Sequence, residues 1–283
     1  MLTRGPDTEA DASCAGAGAG ALVADAATQR ETERRFGGVA RLYGAAALAR
    51  FGTARVGIVG LGGVGTWTAE ALARSGVAHL TLVDLDHIAP SNTNRQVHAV
   101  EPDFGKAKVI AMAERIAQIH PAAQVRPIED FITGDNAAEL LAGLDLVIDC
   151  IDQVPAKAAL IAFCTSARIA VITCGGAGGR QDPARVRRAD LARTSGDPLL
   201  AALRHRLRHE YGFAAARGSK PPPQFGVEAI FSDEVLAWPA SESALAGPAG
   251  SPLACGGYGS AVTVTATMGL AAAAAGLARL QAP

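Results

Sequence analysis

From Arg55 onward, short apolar runs alternate with longer amphipathic segments. The runs RVGIVG (55–60), HLTLVD (79–84), DLVIDC (145–150) and IAVITC (169–174) are β-branched and almost continuously apolar. Runs of that kind are strands covered on both faces, the habit of parallel sheets. Between them, Val64–Ser75, Gly105–Ile119 and Pro155–Ala167 carry apolar residues at helical spacing. A further strand is expected over Gln124–Asp130 and a short helix over Asp135–Ala142. The alternation predicts an α/β, Rossmann-like doubly wound fold: a mainly parallel sheet with helices on both faces, extended on its C-terminal side by strands and a helix.

The flanks read differently. Residues 34–52 place Phe36, Leu42, Leu48 and Phe51 at rough helical spacing, with a break at Gly37-Gly38. After Gly175, RVRRAD (185–190) and GVEAIFS (226–232) read as strands and Pro198–Tyr211 as a basic helix. RGSKPPPQ (217–224) is a linker, because three prolines do not sit in a helix. Residues 240–252 are flexible by composition. The run 261–280 is long enough to cross a membrane, but it is rich in Ala and Thr and contains Gly269 and Gly276. Alanine gives little transfer energy, so a buried helix closing the sheet is expected, with membrane contact as the less favoured alternative.

Composition narrows the class. Hydrophobic residues make up 49% and charged residues 19% of 283, which suits a packed fold and excludes wholesale disorder. A net charge of −1 excludes a uniformly basic nucleic-acid coat. Between Arg180 and Lys220, however, ten basic residues face four acidic ones, a local +6 that leaves −7 elsewhere. Charge gathered this way suits one face meeting a polyanion. Residues 1–33, rich in Ala and Gly with six acids, read as a disordered tail, and 34–283 as a single domain whose 180–255 region faces the substrate. The acidic N-terminus carries no expected export signal. The five cysteines form no C-x-x-C pair, which argues against a disulfide framework or a four-cysteine zinc site and suits a reducing cytoplasm. Cys150, Cys164 and Cys174 read as small core residues, and His98 and His120 as polar surface or capping residues.

The sharpest chemical feature is Gly60-Leu61-Gly62-Gly63-Val64-Gly65, directly after a strand and opening a helix. Glycines there allow a tight turn and close backbone approach, and the helix N-terminus offers free N–H groups to a phosphate. Asp84 and Asp86 end the next strand, where a carboxylate can hold ribose hydroxyls. This much suggests NAD. Three further features favour a triphosphate instead. Asn92 and Arg95, within SNTNRQ (91–96), can hold and clamp phosphates. GKAK (105–108) puts Lys108 at the start of a helix. Asp152, after the fourth strand, can hold a magnesium ion. Cleavage between the α- and β-phosphates needs such groups, because charge builds on the departing pyrophosphate.

These motifs resemble the adenylation family that includes ubiquitin-activating enzymes and the bacterial activators of molybdopterin and thiamine sulfur carriers. Further stretches resemble the bacterial tRNA threonylcarbamoyladenosine dehydratases: RFGGVARLYG (35–44), NTNRQVHA (92–99), KAALIAFC (157–164), TCGGAGG (173–179), IFS (230–232) and CGGYG (255–259). The resemblance runs from Arg35 to about Gly269. It implies a homodimeric, ATP-dependent enzyme that adenylates the carboxylate of the threonylcarbamoyl group beside the anticodon and lets the ureido group displace AMP. It further implies that Gly60, Gly62 and Gly65 shape the phosphate loop, and that Asp84 binds ribose. Asn92, Arg95 and Lys108 would contact phosphates, and Asp152 would stand by the cation (magnesium or a monovalent ion) and the reacting carboxylate. A partner-subunit arginine, Arg41 or Arg35, would complete the site. Arg204, Arg206 and Arg208 on the basic helix are the tRNA-contact candidates, flanked by Arg185, Arg187 and Arg188. Relatives are also associated with a cysteine desulfurase system. Cys255 is either a sulfur-handling thiol or a loop cysteine without chemistry, and dehydration favours the second. Asp152-Gln153 departs from the Asp-Asn of the sulfur-carrier activators. Two other activities stay open: activation of a ubiquitin-like sulfur carrier, and NAD-dependent redox chemistry.

Overall fold

In the computed structural model, residues 30–215, 223–237 and 259–281 are described. Most of the 217–224 linker, residues 240–252, Cys14 and Cys255 lie outside them, as does the tail up to residue 29. Two helices lead in, α1 (residues 30–43) and α2 (Ala45–Thr53). The alternation then runs β1 (Arg55–Val59), α3 (Gly65–Arg74), β2 (His79–Val83), α4 (Lys108–Ile119), β3 (Gln124–Ile128), α5 (Ala137–Leu141), β4 (Leu146–Asp149), α6 (Val154–Ala167) and β5 (Ala170–Cys174). It continues with β6 (Val186–Asp190), α7 (Pro198–Glu210), β7 (Glu228–Ser232) and α8 (Val262–Gln281).

The strands form one sheet in the order β3-β2-β1-β4-β5-β7-β6. Every neighbouring pair is parallel except β6 with β7, which is antiparallel. The expected doubly wound architecture is therefore what the chain adopts. Strand periodicity explains why both faces are covered. Ile58, Leu82 and Ile148 point to the face under α3, α4 and α8, where Leu72, Met112 and Met268 pack. Their neighbours Val59, Val83 and Val147 point to the other face, with Leu160 of α6 and Leu200 and Leu207 of α7. The strand order reverses between β1 and β4, so a crevice opens at their carboxyl ends.

Several expectations need correcting. Helix α1 already includes residue 30, inside the stretch read as tail, and Glu31 pairs with Arg35 at 2.9 Å along it. The lead-in breaks at Gly44, whose φ is +92°, and not at Gly37-Gly38. Helix α4 starts at Lys108 rather than Gly105: Gly105 has φ +85°, and Ala107 forms an antiparallel bridge with His87. His98 and His120 are buried rather than superficial, although His120 does cap a helix, standing at the C-terminal end of α4. His120 stands edge-on to Phe36 at 4.7 Å, and His98 lies within the connection between β2 and α4.

Helix α8 is apolar and long enough by length and composition to span a membrane, but one face of it is packed into the core cluster against α3. Its glycines serve that packing. A Cβ at Gly269 would stand 2.5 Å from the Val64 carbonyl oxygen and 2.8 Å from Trp67 Cβ. The Thr68 hydroxyl donates to the Gly269 carbonyl at 3.1 Å across this contact. Gly269→Val forces the two helices apart and is expected to cost about 1–3 kcal/mol, read as a lower denaturation midpoint in urea.

Candidate nucleotide-binding site

A cavity of about 530 Å³ opens at the carboxyl ends of β1, β2, β4 and β5. Its floor is the turn between β1 and α3. Gly60 has φ +90° and donates its N–H to the Val83 carbonyl at 2.9 Å. A Cβ there would meet the Cys150 carbonyl at 2.9 Å. Gly62 faces open space, where a side chain would fill the cavity. Gly65 does not line the cavity; it lies against the Gly60 carbonyl and lets α3 start at the floor.

Asp84 does more than the sequence suggests. Its carboxylate accepts from the Leu61 amide at 2.5 Å and the Asp86 amide at 2.9 Å, tying the glycine loop to the end of β2. Burial pushes the Asp84 carboxyl above its ordinary range, against the pull of Lys108 and the two amides. Lys108, nearly buried at the start of α4, holds Asp86 at 2.6 Å and lies 3.7 Å from Asp84. An anionic ligand reaching Lys108 therefore competes with Asp86, whose side chain is 73% exposed.

Asn92 and Arg95 also line the cavity. Asn92 accepts from the Ala89 amide at 3.0 Å, which fixes its loop. The Arg95 guanidinium donates to the Ser91 carbonyl and the Asn94 side chain, both at 2.9 Å. Trp67 donates its indole N–H to the Arg95 carbonyl at 3.0 Å, anchoring the backbone beneath it. Asp152, on the turn between β4 and α6, is exposed at the mouth and has no ion pair among the described residues. No group of three His, Cys, Asp or Glu side chains is placed to hold a metal among the described residues. One carboxylate fits a cation that arrives with phosphates, since magnesium takes one or two carboxylates and completes its shell with phosphate oxygens and water.

The structure thus gathers Gly60, Gly62, Asp84, Asp86, Asn92, Arg95, Lys108 and Asp152 around one cavity. Other predicted residues stand apart. Arg35 donates to the Ile119 carbonyl at the far end of α4, at 3.3 Å, and Arg41 is exposed on α1. On α7, Arg204 donates to the Thr194 hydroxyl, and burial lowers its pKa. Arg206 pairs with Glu210 at 2.9 Å, and Arg208 lies over the Phe225 ring at 5.4 Å. Arg185 and Arg187 share Asp233, and Arg188 pairs with Glu228. The basic segment is thus partly neutralised by acids of β7 and the loop after it. Cys164 and Cys174 are buried, and burial pushes the Cys164 thiol up to about 12. Cys150 instead lines the cavity, 3.9 Å from the Cys174 sulfur. Two features escaped the sequence reading: the wall made by Phe131 and Ile132, and Lys157, which looks from its spacing like any helix lysine.

A glycine-rich strand–turn–helix at the switch point, with Arg95 and Lys108 facing it, defines a nucleotide-binding α/β protein. The ThiF family model matches residues 35–206. The tRNA threonylcarbamoyladenosine dehydratase of Escherichia coli (strain K12) is 46% identical over 256 residues, 88% of this chain and 94% of that protein. The Haemophilus influenzae enzyme of the same name is 44% identical, covering 84% of this chain and 89% of that one. The crystal structure of the E. coli dehydratase in complex with ATP superposes with a TM-score of 0.79 at 45% identity, over 88% of this chain and 95% of that chain. The chain belongs to the ThiF family, among its tRNA threonylcarbamoyladenosine dehydratases.

His98 beside this site sets a pH dependence. Neither ring nitrogen has a hydrogen-bond partner among the described residues, and burial first, then Lys108, lowers its pKa to about 4 despite Asp103. The unfolded chain takes up the proton near pH 6.5 and the folded chain near 4, so stability falls as pH falls through that window. Urea denaturation at pH 7 and pH 5 is expected to show a loss that is larger in the wild type than in His98→Leu by on the order of 1–2 kcal/mol.

Proposed function

We propose that this protein is an ATP-dependent dehydratase of threonylcarbamoyladenosine in tRNA. The observation that carries the reading is similarity along almost the whole length of a dehydratase whose crystal structure holds ATP. The carboxylate of the threonylcarbamoyl group attacks the α-phosphorus, and pyrophosphate leaves. The ureido nitrogen then attacks the activated carbonyl, and AMP departs with the former carboxylate oxygen. ATP becomes AMP and pyrophosphate, and the nucleoside loses one water. Ring closure is intramolecular, so orientation supplies much of the rate and little general-base help is needed.

In this reading, Gly60, Gly62 and Gly65 form the phosphate loop and Asp84 and Asp86 face the ribose. Arg95, Asn92 and Lys108 offset the charge that grows on the phosphates, Lys108 exchanging Asp86 for phosphate as the ligand enters. Asp152 holds the cation, magnesium or a monovalent ion, which would supply further charge neutralisation at the phosphates. The reading includes a homodimer. Arg41, exposed beside Leu42, itself 77% exposed, is the freer of the two candidate partner arginines, because Arg35 is tied to Glu31 and Ile119. It also places the protein in the cytoplasm, which suits the free thiols of Cys150, Cys164 and Cys174. Any link to a cysteine desulfurase system would run outside the dehydration itself, which uses no thiol. Activation of a sulfur carrier is the second reading; it requires pyrophosphate exchange that depends on a Gly-Gly-ended protein. An NAD-dependent redox reaction has no use for Arg95 and Lys108.

Pure protein, ATP and threonylcarbamoyl-modified tRNA are expected to yield the nucleoside lighter by one water on mass spectrometry, only with ATP present. Asp152→Ala is expected to slow that conversion at least ~100-fold with an unchanged melting curve; a wild-type rate removes Asp152 from the site. Arg206→Glu with Arg208→Glu is expected to weaken tRNA binding roughly tenfold in a filter assay and to flatten its salt dependence, while ATP affinity holds.

A further inference from the structure

The turn that carries Asp152 is gripped from below. Only residues 150–153 separate β4 from α6. Beneath them lies an ion pair with both side chains fully buried: Lys157 Nζ is 2.8 Å from Asp149 Oδ2. Lys157 Nζ also donates to the Ile151 carbonyl at 2.9 Å, with the Asp149 carbonyl at 3.5 Å. Asp149 Oδ1 accepts from the Ile151 amide at 3.1 Å, and its Oδ2 accepts from the Thr173 hydroxyl at 2.7 Å. The Cys150 amide donates to the Val59 carbonyl at 2.8 Å. Ile151 is thus held at both its N–H and its C=O by one buried pair, one residue before Asp152. Three acceptors surround the three hydrogens of Nζ, so Lys157 has no donor left for a ligand.

We propose that Lys157, with Asp149 as its counter-ion, is a positioning residue that fixes Asp152 at the cavity mouth by gripping the backbone of Ile151. This rests on the role given to Asp152 above. Stability alone does not account for such a pair, because apolar side chains of similar volume commonly replace a buried ion pair at no cost. Removing one partner strands a buried charge, so the test removes both.

Asp149→Asn with Lys157→Met leaves no unpaired charge. Folding is checked by circular dichroism and melting. The expected variant is folded and binds ATP within about threefold of wild type, yet dehydrates modified tRNA about 10²-fold more slowly in a single turnover, as misplacement by about an ångström does. Introduced into Asp152→Ala, the same two changes are expected to cost less than about threefold, because the residue they act through is gone. A wild-type rate in the folded variant overturns the proposal, and so does an undiminished loss on top of Asp152→Ala. Should the pair fail to fold, Thr173→Val removes one bond to Asp149; a partial loss of kcat at constant ATP affinity supports the grip, and no loss overturns it. Hydrogen exchange at the Ile151 amide needs no tRNA and is expected to quicken at least ~10-fold in whichever of these variants is folded. Quickened exchange with a wild-type protein inactive on tRNA refutes the dehydratase reading and leaves the grip standing; unchanged exchange refutes the grip.

Discussion

No side chain fits at Gly65. A Cβ there would stand 1.8 Å from the Gly60 carbonyl oxygen and 3.3 Å from Cys150 Cβ. This contact brings the start of α3 down onto the ends of β1 and β4. The glycine loop then turns sharply enough for the Leu61 amide to reach the Asp84 carboxylate. Through Asp84 the loop is joined to β2 and, through Lys108, to α4. The close approach that sets the floor of the cavity, and through Asp84 links it to Lys108, thus depends on the absence of one methyl group.

Charge in the cavity is arranged in two layers. Asp84 and Lys108 are nearly buried and serve the backbone as much as any ligand. Asp86, Asp152 and Arg95 are reachable from solvent and free to change partners. The division follows from the cost of burying charge: an ion taken out of water must be fully partnered, whereas an exposed one can exchange one partner for another at little cost. Lys157 and Asp149 carry the first kind to its limit.

Much of the fold was legible because buried strands write themselves as continuous apolar runs, and β1, β2, β4 and β5 lie where those runs are. Two of the boundaries that moved did so at glycines. Gly105 and Gly44 adopt positive φ, which a spacing rule does not see, and the Gly37-Gly38 pair, which looks like a break, stays helical. The cavity was legible as a set, since the glycine loop, Arg95, Lys108 and Asp152 follow successive strand ends. Electrostatic pairing across strands was not legible. Arg185, Arg187 and Arg188 look like an open basic run until antiparallel register brings Asp233 and Glu228 beside them. Nor does a polar letter reveal that His98 or Lys157 is buried, because burial is decided by neighbours distant in sequence.

The bond from Thr68 to Gly269 spans 201 residues. Helix α3, which opens the cavity, therefore leans on the last helix of the chain. Such a contact closes a very long loop, and topologies dominated by such contacts fold slowly. During synthesis on the ribosome, the glycine loop and its strands emerge well before the helix that covers them. Until α8 arrives, Leu72, Ile58 and Ile148 lack part of their cover, and the nascent chain carries an apolar face of the kind that chaperones bind.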